Sequence, residues 1–296
     1  MNIKRLKAII VRQTSSLCAL AYYTFCPISY GLNKDKRDVP IVVTMTSFPA
    51  RFKTIHLAIK SIMAQTIKPD KIILYLDENV DDAQITEKMR KLKEYGLEIK
   101  KRPVDMKVHK KYYYAMKEYP DAIIVTADDD CMYRKGLIST LLETHKKYPG
   151  AICSKRVHRM IIDGNGKLLP YNDWNLESDE ITTPSMQLCA TGVGGVLYPP
   201  HLMKDTLFDL NLIMDLSPKA DDLWLKYIEV ISNVPVVRVP GKYNLSYMIQ
   251  SVQKLGLRNS NVTENQNDIF LERLQEYFKI DWKKVFKENQ YREEVV

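Results

Sequence analysis

The chain has 296 residues, 45% hydrophobic and 27% charged, which is enough apolar material for a large core and too little bias for a disordered or fibrous protein. Its net charge of +8 is gathered at one end: Lys4, Arg5, Lys7, Arg12, Lys34, Lys36 and Arg37 face Asp35 alone before residue 38, and the remainder is close to neutral, which argues against a nucleic-acid partner. Cys18, Cys26, Cys131, Cys153 and Cys189 show neither a zinc spacing nor a disulfide framework and favour a reducing, cytoplasmic setting, in which the sequons Asn244-Leu-Ser246 and Asn261-Val-Thr263 stay idle.

Residues 1–38 form a basic, aromatic N-terminal segment. No charge falls between Arg12 and Lys34, and Leu17 to Cys26 is apolar. Gln13, Thr14, Ser15, Ser16, Pro27, Ser29 and Gly31 leave that run short of the roughly 20 apolar residues a spanning helix needs. Two readings stand side by side: a peripheral contact with the inner, anionic face of the cell membrane, or a helix packed on the rest of the chain.

From residue 39 strands and helices alternate. Val39–Thr44 reads as a strand, Thr54–Gln65 as a helix with Ile55, Ala58, Ile59 and Ile62 on one face, and Lys71–Leu76 as the next strand. Ile85–Tyr95 is predicted helical and stopped by Gly96, Leu97–Lys101 is a strand, and His109–Glu118 a helix. Ala122–Ala127 is a short apolar strand of the kind buried on both faces of a parallel sheet. Residues 39–131 therefore read as a Rossmann-like α/β half.

Residues 132–296 look more irregular, with a mixed sheet. A helix is expected over Lys135–Lys147, a strand over Ala151–Arg156 and a hairpin turn at Asp163-Gly-Asn-Gly166. Met186–Pro199 should return toward the sheet. Ala220–Ile231 should be a helix, Val234–Val239 a strand and Glu264–Phe278 an amphipathic helix.

The most informative run is Asp121-Ala-Ile-Ile-Val-Thr-Ala-Asp-Asp-Asp130, where a buried strand ends in three carboxylates. Like charges crowd there only if something positive compensates, and hard oxygen ligands suit Mg²⁺ or Mn²⁺ shared with substrate phosphates. Thr44-Met-Thr-Ser-Phe-Pro-Ala-Arg51 places Thr44, Thr46, Ser47 and Arg51 after another strand, where a nucleotide would lie, although a plain helix-entry turn has the same composition. Asp77 closes the second strand and can accept from a base or ribose. Lys110 and Lys111 open a helix and suit diphosphate oxygens, but a solvated basic face reads alike.

Gly192, Gly194 and Gly195 allow close backbone approach to a ligand, but their spacing is not that of a dinucleotide fingerprint. Lys219-Ala-Asp-Asp-Leu-Trp224 opens a helix with two acids. Asp221 is expected as the N-cap, and Asp222 as a carboxylate free to take a proton from an acceptor hydroxyl. His56, His145, His158 and His201 carry no pattern of their own.

In order, Val42 to Phe52, Ser61-Ile-Met-Ala-Gln-Thr-Ile-Lys-Pro-Asp-Lys-Ile-Ile-Leu74, Thr126-Ala-Asp-Asp-Asp130, the Gly192–Gly195 loop and Ala220-Asp-Asp-Leu-Trp224 resemble nucleotide-sugar glycosyltransferases of the GT-A fold. The likeness is greatest to family-2-like enzymes of bacterial surface-polysaccharide and capsule assembly. It implies Asp128 and Asp130 as metal and diphosphate carboxylates, with Asp129 beside them, and Asp77 as a nucleoside contact. It implies Asp221 and Asp222 as the acidic pair holding the catalytic base, and Gly192, Gly194, Gly195 and Trp224 on the acceptor side. The implied partners are a nucleotide sugar, a UDP-sugar foremost, and a saccharide or lipid-linked saccharide acceptor. No histidine follows His201, so the late histidine ligand of some relatives has no counterpart. A sugar-1-phosphate nucleotidyltransferase and a non-catalytic carbohydrate-binding protein are the alternatives. The former should carry a glycine-rich, arginine-containing loop after the first strand, and Met45-Thr-Ser-Phe-Pro-Ala50 is not one.

Overall fold

The computed structural model describes residues 3–25, 31–103, 105–241, 247–255 and 265–293, and leaves both sequons and Cys26 outside. The strands are β1 Ile41–Thr46, β2 Lys71–Asp77, β3 Leu97–Arg102, β4 Ile123–Thr126, β5 Cys131–Met132, β6 Ile152–Ser154, β7 Val157–Arg159, β8 Leu188–Ala190, β9 Val196–Tyr198, β10 Val236–Arg238 and β11 Tyr247–Met248. The helices are α1 Ile3–Phe25, α2 Ile55–Met63, α3 Glu87–Leu92, α4 Lys110–Glu118, α5 Leu137–Lys147, α6 Leu210–Leu216, α7 Asp221–Ile231, α8 Gln266–Phe278 and α9 Trp282–Glu293.

Among the described residues seven strands form one sheet in the order β10-β6-β9-β4-β1-β2-β3. β4, β1, β2 and β3 run parallel, and β9 is antiparallel to both β4 and β6. The predicted mixed half thus continues the sheet of the parallel half. β1 starts two residues later than its apolar run because Pro40 has no N–H to give. Ile41 begins the ladder, and its N–H donates to Asp70 Oδ2 at 2.7 Å.

Alternation along the strands feeds two cores. Ile41, Val43, Met45, Ile72, Leu74, Val125 and Leu97 pack with α2, α3 and α5, while Val42, Ile73, Tyr75 and Ile124 pack with α4, α7 and α8. A strand covered on both faces reads as a continuous apolar run, which is why β1, β2 and β4 were visible in the sequence. The chain steps outward from β1 to β2 to β3 and then returns to the other side of β1 as β4. That reversal falls at the carboxyl ends of β1 and β4, the place where open α/β sheets bind ligands.

α1 packs on the domain. Ser16, Ala19 and Tyr23 are buried, and Ala19 and Tyr23 join the core beside α2. Leu17, Leu20 and Phe25 point outward at 64%, 38% and 80% exposure. No helix of the described residues is long and apolar enough to cross a membrane. After α1, Asn33 and Arg37 clasp Asp70 at 2.7 and 2.9 Å, and Leu32 fills the space over Gly96, where a β-carbon would come within 2.4 Å of it. Gly96 itself holds φ +99° as it ends the turn after α3, the stop expected of it.

Candidate functional site

The turn after β1 and the acids after β4 meet at these carboxyl ends. Ser47 Oγ donates to Asp129 Oδ2 at 2.5 Å, and the buried Arg51 guanidinium pairs with Asp129 Oδ1 and with Asp130 Oδ2, the latter at 3.2 Å. Asp129 is 5% exposed. Its burial raises the carboxyl to about 6 against the opposing pull of Arg51 and Ser47. Ser47, Arg51 and Asp129, read as donor contacts, therefore form an internal brace. Thr44 is 0% exposed within β1, and Thr46 Oγ1 donates to the Tyr75 carbonyl at 3.0 Å. The Thr44 hydroxyl is thus enclosed by neighbouring strands, whereas Thr46, partly exposed at the strand end, gives its hydroxyl to the Tyr75 carbonyl.

The two lysines opening α4 are both engaged by acids. Lys110 Nζ lies 2.6 Å from Asp77 Oδ1 and 3.1 Å from Asp105 Oδ1. Lys111 Nζ lies 2.9 Å from Asp128 Oδ1 and 2.9 Å from Asp221 Oδ2. Burial works against the Lys111 charge, but Asp128, Asp221 and Asp222 outweigh it and hold its pKa well above the usual lysine value. Lys111 is thus the cation that joins the acidic motif after β4 to the acidic motif opening α7. Neither the lysine nor its bridging role was separable by sequence from a solvated basic face.

Asp221 does not cap α7. The N-cap is Ala220, without a side-chain cap bond, and Asp221 is the first helical residue with its carboxylate turned to Lys111. Asp222 Oδ1 accepts the Gly192 N–H at 3.1 Å. Burial, then the neighbouring Asp221, pushes the Asp222 carboxyl up to about 8. A β-carbon on Gly192 would fall 2.6 Å from Lys111 Nζ and 3.1 Å from Asp128 Oδ1, so glycine is what lets this turn close on the acids.

The other glycines serve packing. A β-carbon on Gly194 would lie 2.7 Å from the Arg156 backbone nitrogen, and one on Gly195 2.8 Å from Leu137 Cδ1. Trp224, expected on the acceptor side, is instead 0% exposed, donates Nε1–H to the Leu207 carbonyl at 3.2 Å and packs near Phe278. It faces the core side of α7 and cannot touch an acceptor. A buried Lys226–Glu229 pair at 3.2 Å, with Lys226 Nζ donating to the Leu188 carbonyl at 2.8 Å, ties α7 to β8.

Asp128 and Asp130 are the more exposed carboxylates of the run, with side chains 27% and 14% exposed, beside 7% for Asp129. Among the described residues no group of three His, Cys, Asp or Glu gathers as a self-sufficient metal cage. Two hard carboxylates fit Mg²⁺ or Mn²⁺ taking its remaining oxygens from water and phosphate. Burial, then Asp128, raises the Asp130 pKa, the unfavourable charge crowding that a cation would relieve.

His109, overlooked as a site element, holds the start of α4 against the segment before α7. Its Nε2 lies 2.7 Å from the Ser217 carbonyl and its Nδ1 3.0 Å from the Tyr112 hydroxyl. A carbonyl only accepts, so Nε2 carries the proton and Nδ1 accepts from Tyr112. Burial lowers the His109 pKa to about 4, and likewise that of His158 to about 3. Unfolding restores the ordinary value of about 6.5, so below that pH the unfolded chain binds the extra proton. Each of these histidines should therefore cost stability as the pH drops from about 6.5 toward 4, by up to about 1.4 kcal/mol per pH unit, while the buried Asp129 and Asp222 carboxyls, raised to about 6 and about 8, act in the opposite direction over the same range. Thermal melts at pH 7 and pH 5 of wild type beside His109→Gln isolate the histidine's share: the variant should lose less stability on acidification than wild type, and an identical pH dependence would remove His109 from the account.

A mostly parallel α/β sheet with paired acids at the carboxyl ends of its inner strands, facing a second acidic motif at a helix start, is the frame of a GT-A glycosyltransferase. The profile described as "Glycosyl transferase family 2" matches residues 41–192, more than half of the chain, and the protein belongs to that family. A search of curated proteins finds no match. Solved structures with a similar backbone include the mannosyltransferase PcManGT from Pyrobaculum calidifontis in complex with GDP-Man and Mn²⁺, at 11% identity over 79% of this chain and 66% of that one, TM-score 0.43. CMP:2-keto-3-deoxy-manno-octonic acid synthetase complexed with CTP matches at 12% identity over 76% of this chain and 99% of that one, TM-score 0.39. 4-Diphosphocytidyl-2C-methyl-D-erythritol synthase from Anaerococcus prevotii DSM 20548 matches at 14% identity over 70% and 90%, TM-score 0.44. The chain spans slightly under two thirds of the mannosyltransferase. Likenesses this distant concern the general course of the backbone and carry no chemistry.

Proposed function

We propose that the protein transfers a sugar from a nucleotide-sugar donor, a UDP-sugar foremost, to a saccharide or lipid-linked saccharide acceptor in bacterial surface-polysaccharide assembly. The observation that supports this most directly is the Lys111 bridge, 2.9 Å from Asp128 on one side and 2.9 Å from Asp221 on the other, which brings the two acidic motifs together. Asp128 and Asp130 would hold Mn²⁺ or Mg²⁺, whose chemistry is to neutralise charge on the departing diphosphate. Asp77 lies on the same carboxyl edge, at the end of β2, where a nucleoside would lie. Asp222, on α7 beside the Gly192 turn, is the carboxylate suited to take the proton of the attacking hydroxyl.

A screen of UDP-, GDP- and CMP-sugars with Mn²⁺, scored for nucleotide release with and without saccharide acceptors, tests the reading. Release of nucleotide that depends on Asp130 supports it. Release of pyrophosphate from a nucleoside triphosphate and a sugar 1-phosphate would instead identify a nucleotidyltransferase, and nucleotide-sugar binding without turnover a carbohydrate-binding protein.

The reading includes a peripheral contact of α1 with an anionic membrane. Leu17, Leu20 and Phe25 face outward with no charged residue between Gln13 and Phe25, and the first turns of the helix carry Lys4, Arg5, Lys7 and Arg12 in sequence. This combination suits a helix lying in the headgroup layer. In the full chain, Leu17→Ser with Phe25→Ser should weaken co-sedimentation with phosphatidylserine vesicles while the melting temperature holds, because neither side chain is packed. Undiminished vesicle binding would exclude the contact.

A further inference from the structure

Asp128 is held by its backbone as well as by its carboxylate. Its N–H donates to the hydroxyl of Tyr133 at 2.7 Å, and Tyr133 is 1% exposed. Tyr133 sits just past β5 and is pinned from two directions. Its N–H donates to Ser61 Oγ of α2 at 2.8 Å, and its carbonyl accepts the Tyr23 hydroxyl of α1 at 3.1 Å. Tyr23 is 3% exposed, and its own carbonyl accepts Lys60 Nζ at 3.1 Å. The far side of the acidic turn is fixed separately, where the Ile249 N–H donates to the Asp130 carbonyl at 2.8 Å.

Packing alone does not require a phenol at 133, since phenylalanine fills nearly the same space. The hydroxyl differs by accepting the Asp128 N–H, a donor that would otherwise lose its partner at the start of the acidic run. Carboxylates two residues apart can share an ion and a diphosphate only while the backbone between them keeps its course, and supporting hydrogen bonds set that tolerance. We infer that Tyr133 is a positioning residue for the donor site and that α1, through Tyr23, is a second support of the same turn. The inference rests on the proposed role of Asp128 toward metal and diphosphate. It makes α1 part of the donor site's framework in addition to any membrane contact.

The test uses the full chain and measures Mn²⁺-dependent binding of UDP or GDP, whichever the donor screen selects, together with transfer kinetics. Tyr133→Phe should weaken nucleotide binding and raise the donor KM by about tenfold, with kcat at saturating donor and metal kept within about twofold. Tyr23→Phe should act in the same direction by about threefold. The double variant should be no weaker than the Tyr133→Phe variant by more than about twofold, because both hydroxyls support one turn. A lowered melting temperature with unchanged KM in Tyr133→Phe would make Tyr133 merely structural and overturn the inference. Asp128→Asn separates the two levels. If it abolishes Mn²⁺-dependent binding while Tyr133→Phe binds like wild type, only the inference falls. If Asp128→Asn binds normally, or if neither nucleotide binds the wild-type chain with Mn²⁺, the reading of the site fails and the inference fails with it.

Discussion

Asp222→Asn is expected to bind the nucleotide sugar normally and to transfer it about 10²-fold or more slowly, the scale of losing a general base. The amide can still accept the Gly192 N–H that the carboxylate accepts at 3.1 Å, so the turn keeps its support while the proton acceptor is lost. Burial, then Asp221, raises the Asp222 carboxyl to about 8. A base works only when unprotonated, so wild-type transfer at saturating donor should climb between pH 6 and pH 8, while the residual rate of the Asn variant should show no such rise. A wild-type rate in the variant, or products that retain the donor's anomeric configuration, would remove Asp222 from this role. Asp221 is expected to behave differently from a helix cap. Its loss leaves the buried Lys111 with Asp128 as its nearest acid, so its effect should reach the donor side as well as stability.

The second large effect separates two adjacent acids. Asp129→Ala should destabilise the chain by about 1–3 kcal/mol, because it takes from the buried Arg51 guanidinium the nearer of its two carboxylates, leaving Asp130 at 3.2 Å, and from Ser47 its acceptor. For a chain of this size that is a fall in melting temperature of roughly 5 °C. Asp130→Ala should melt close to wild type, since Arg51 keeps Asp129, yet lose its metal-dependent turnover. Calorimetric melts set beside nucleotide release with and without Mn²⁺ distinguish the two. Equal melting temperatures for both variants would mean that the Arg51 brace contributes nothing measurable.

The parallel half of the fold was legible because its strands are buried on both faces and its helices on one, and each condition writes a periodicity into consecutive residues. The apolar runs of β1, β2 and β4, the stripe of α2 and the stop at Gly96 were all read this way, with boundaries shifted by about two residues where Pro40 or a short 3₁₀ turn intervened. The return of Met186–Pro199 to the sheet was expected, but its antiparallel place as β9 between β4 and β6 was not legible, because pairing of Leu197 with Val125 and Cys153, 72 and 44 residues away, leaves no local mark. Trp224, Gly194 and Gly195, expected on the acceptor side, are buried in packing contacts, and a related reason hid this from the sequence. Composition shows that a residue is large or small, whereas its direction depends on which face of a helix or strand meets the core.

What the residues themselves determined was the chemical inventory: three acids after a buried strand, two acids at a helix start, two lysines before a helix and a glycine turn. Local order is enough for this, since side-chain chemistry and strand burial are properties of neighbouring positions. Only the tertiary structure decided how the inventory is divided. Asp129 goes inward to Arg51 and Ser47, Asp128 and Asp130 stay more exposed, Lys110 is engaged by Asp77, and Lys111 spans the gap between Asp128 and Asp221. Each pairing joins residues that are not neighbours in the chain: Asp129 meets Arg51 because β1 and β4 are adjacent strands, and the lysines' partners follow from where α4 and α7 pack, which no run of neighbouring residues encodes.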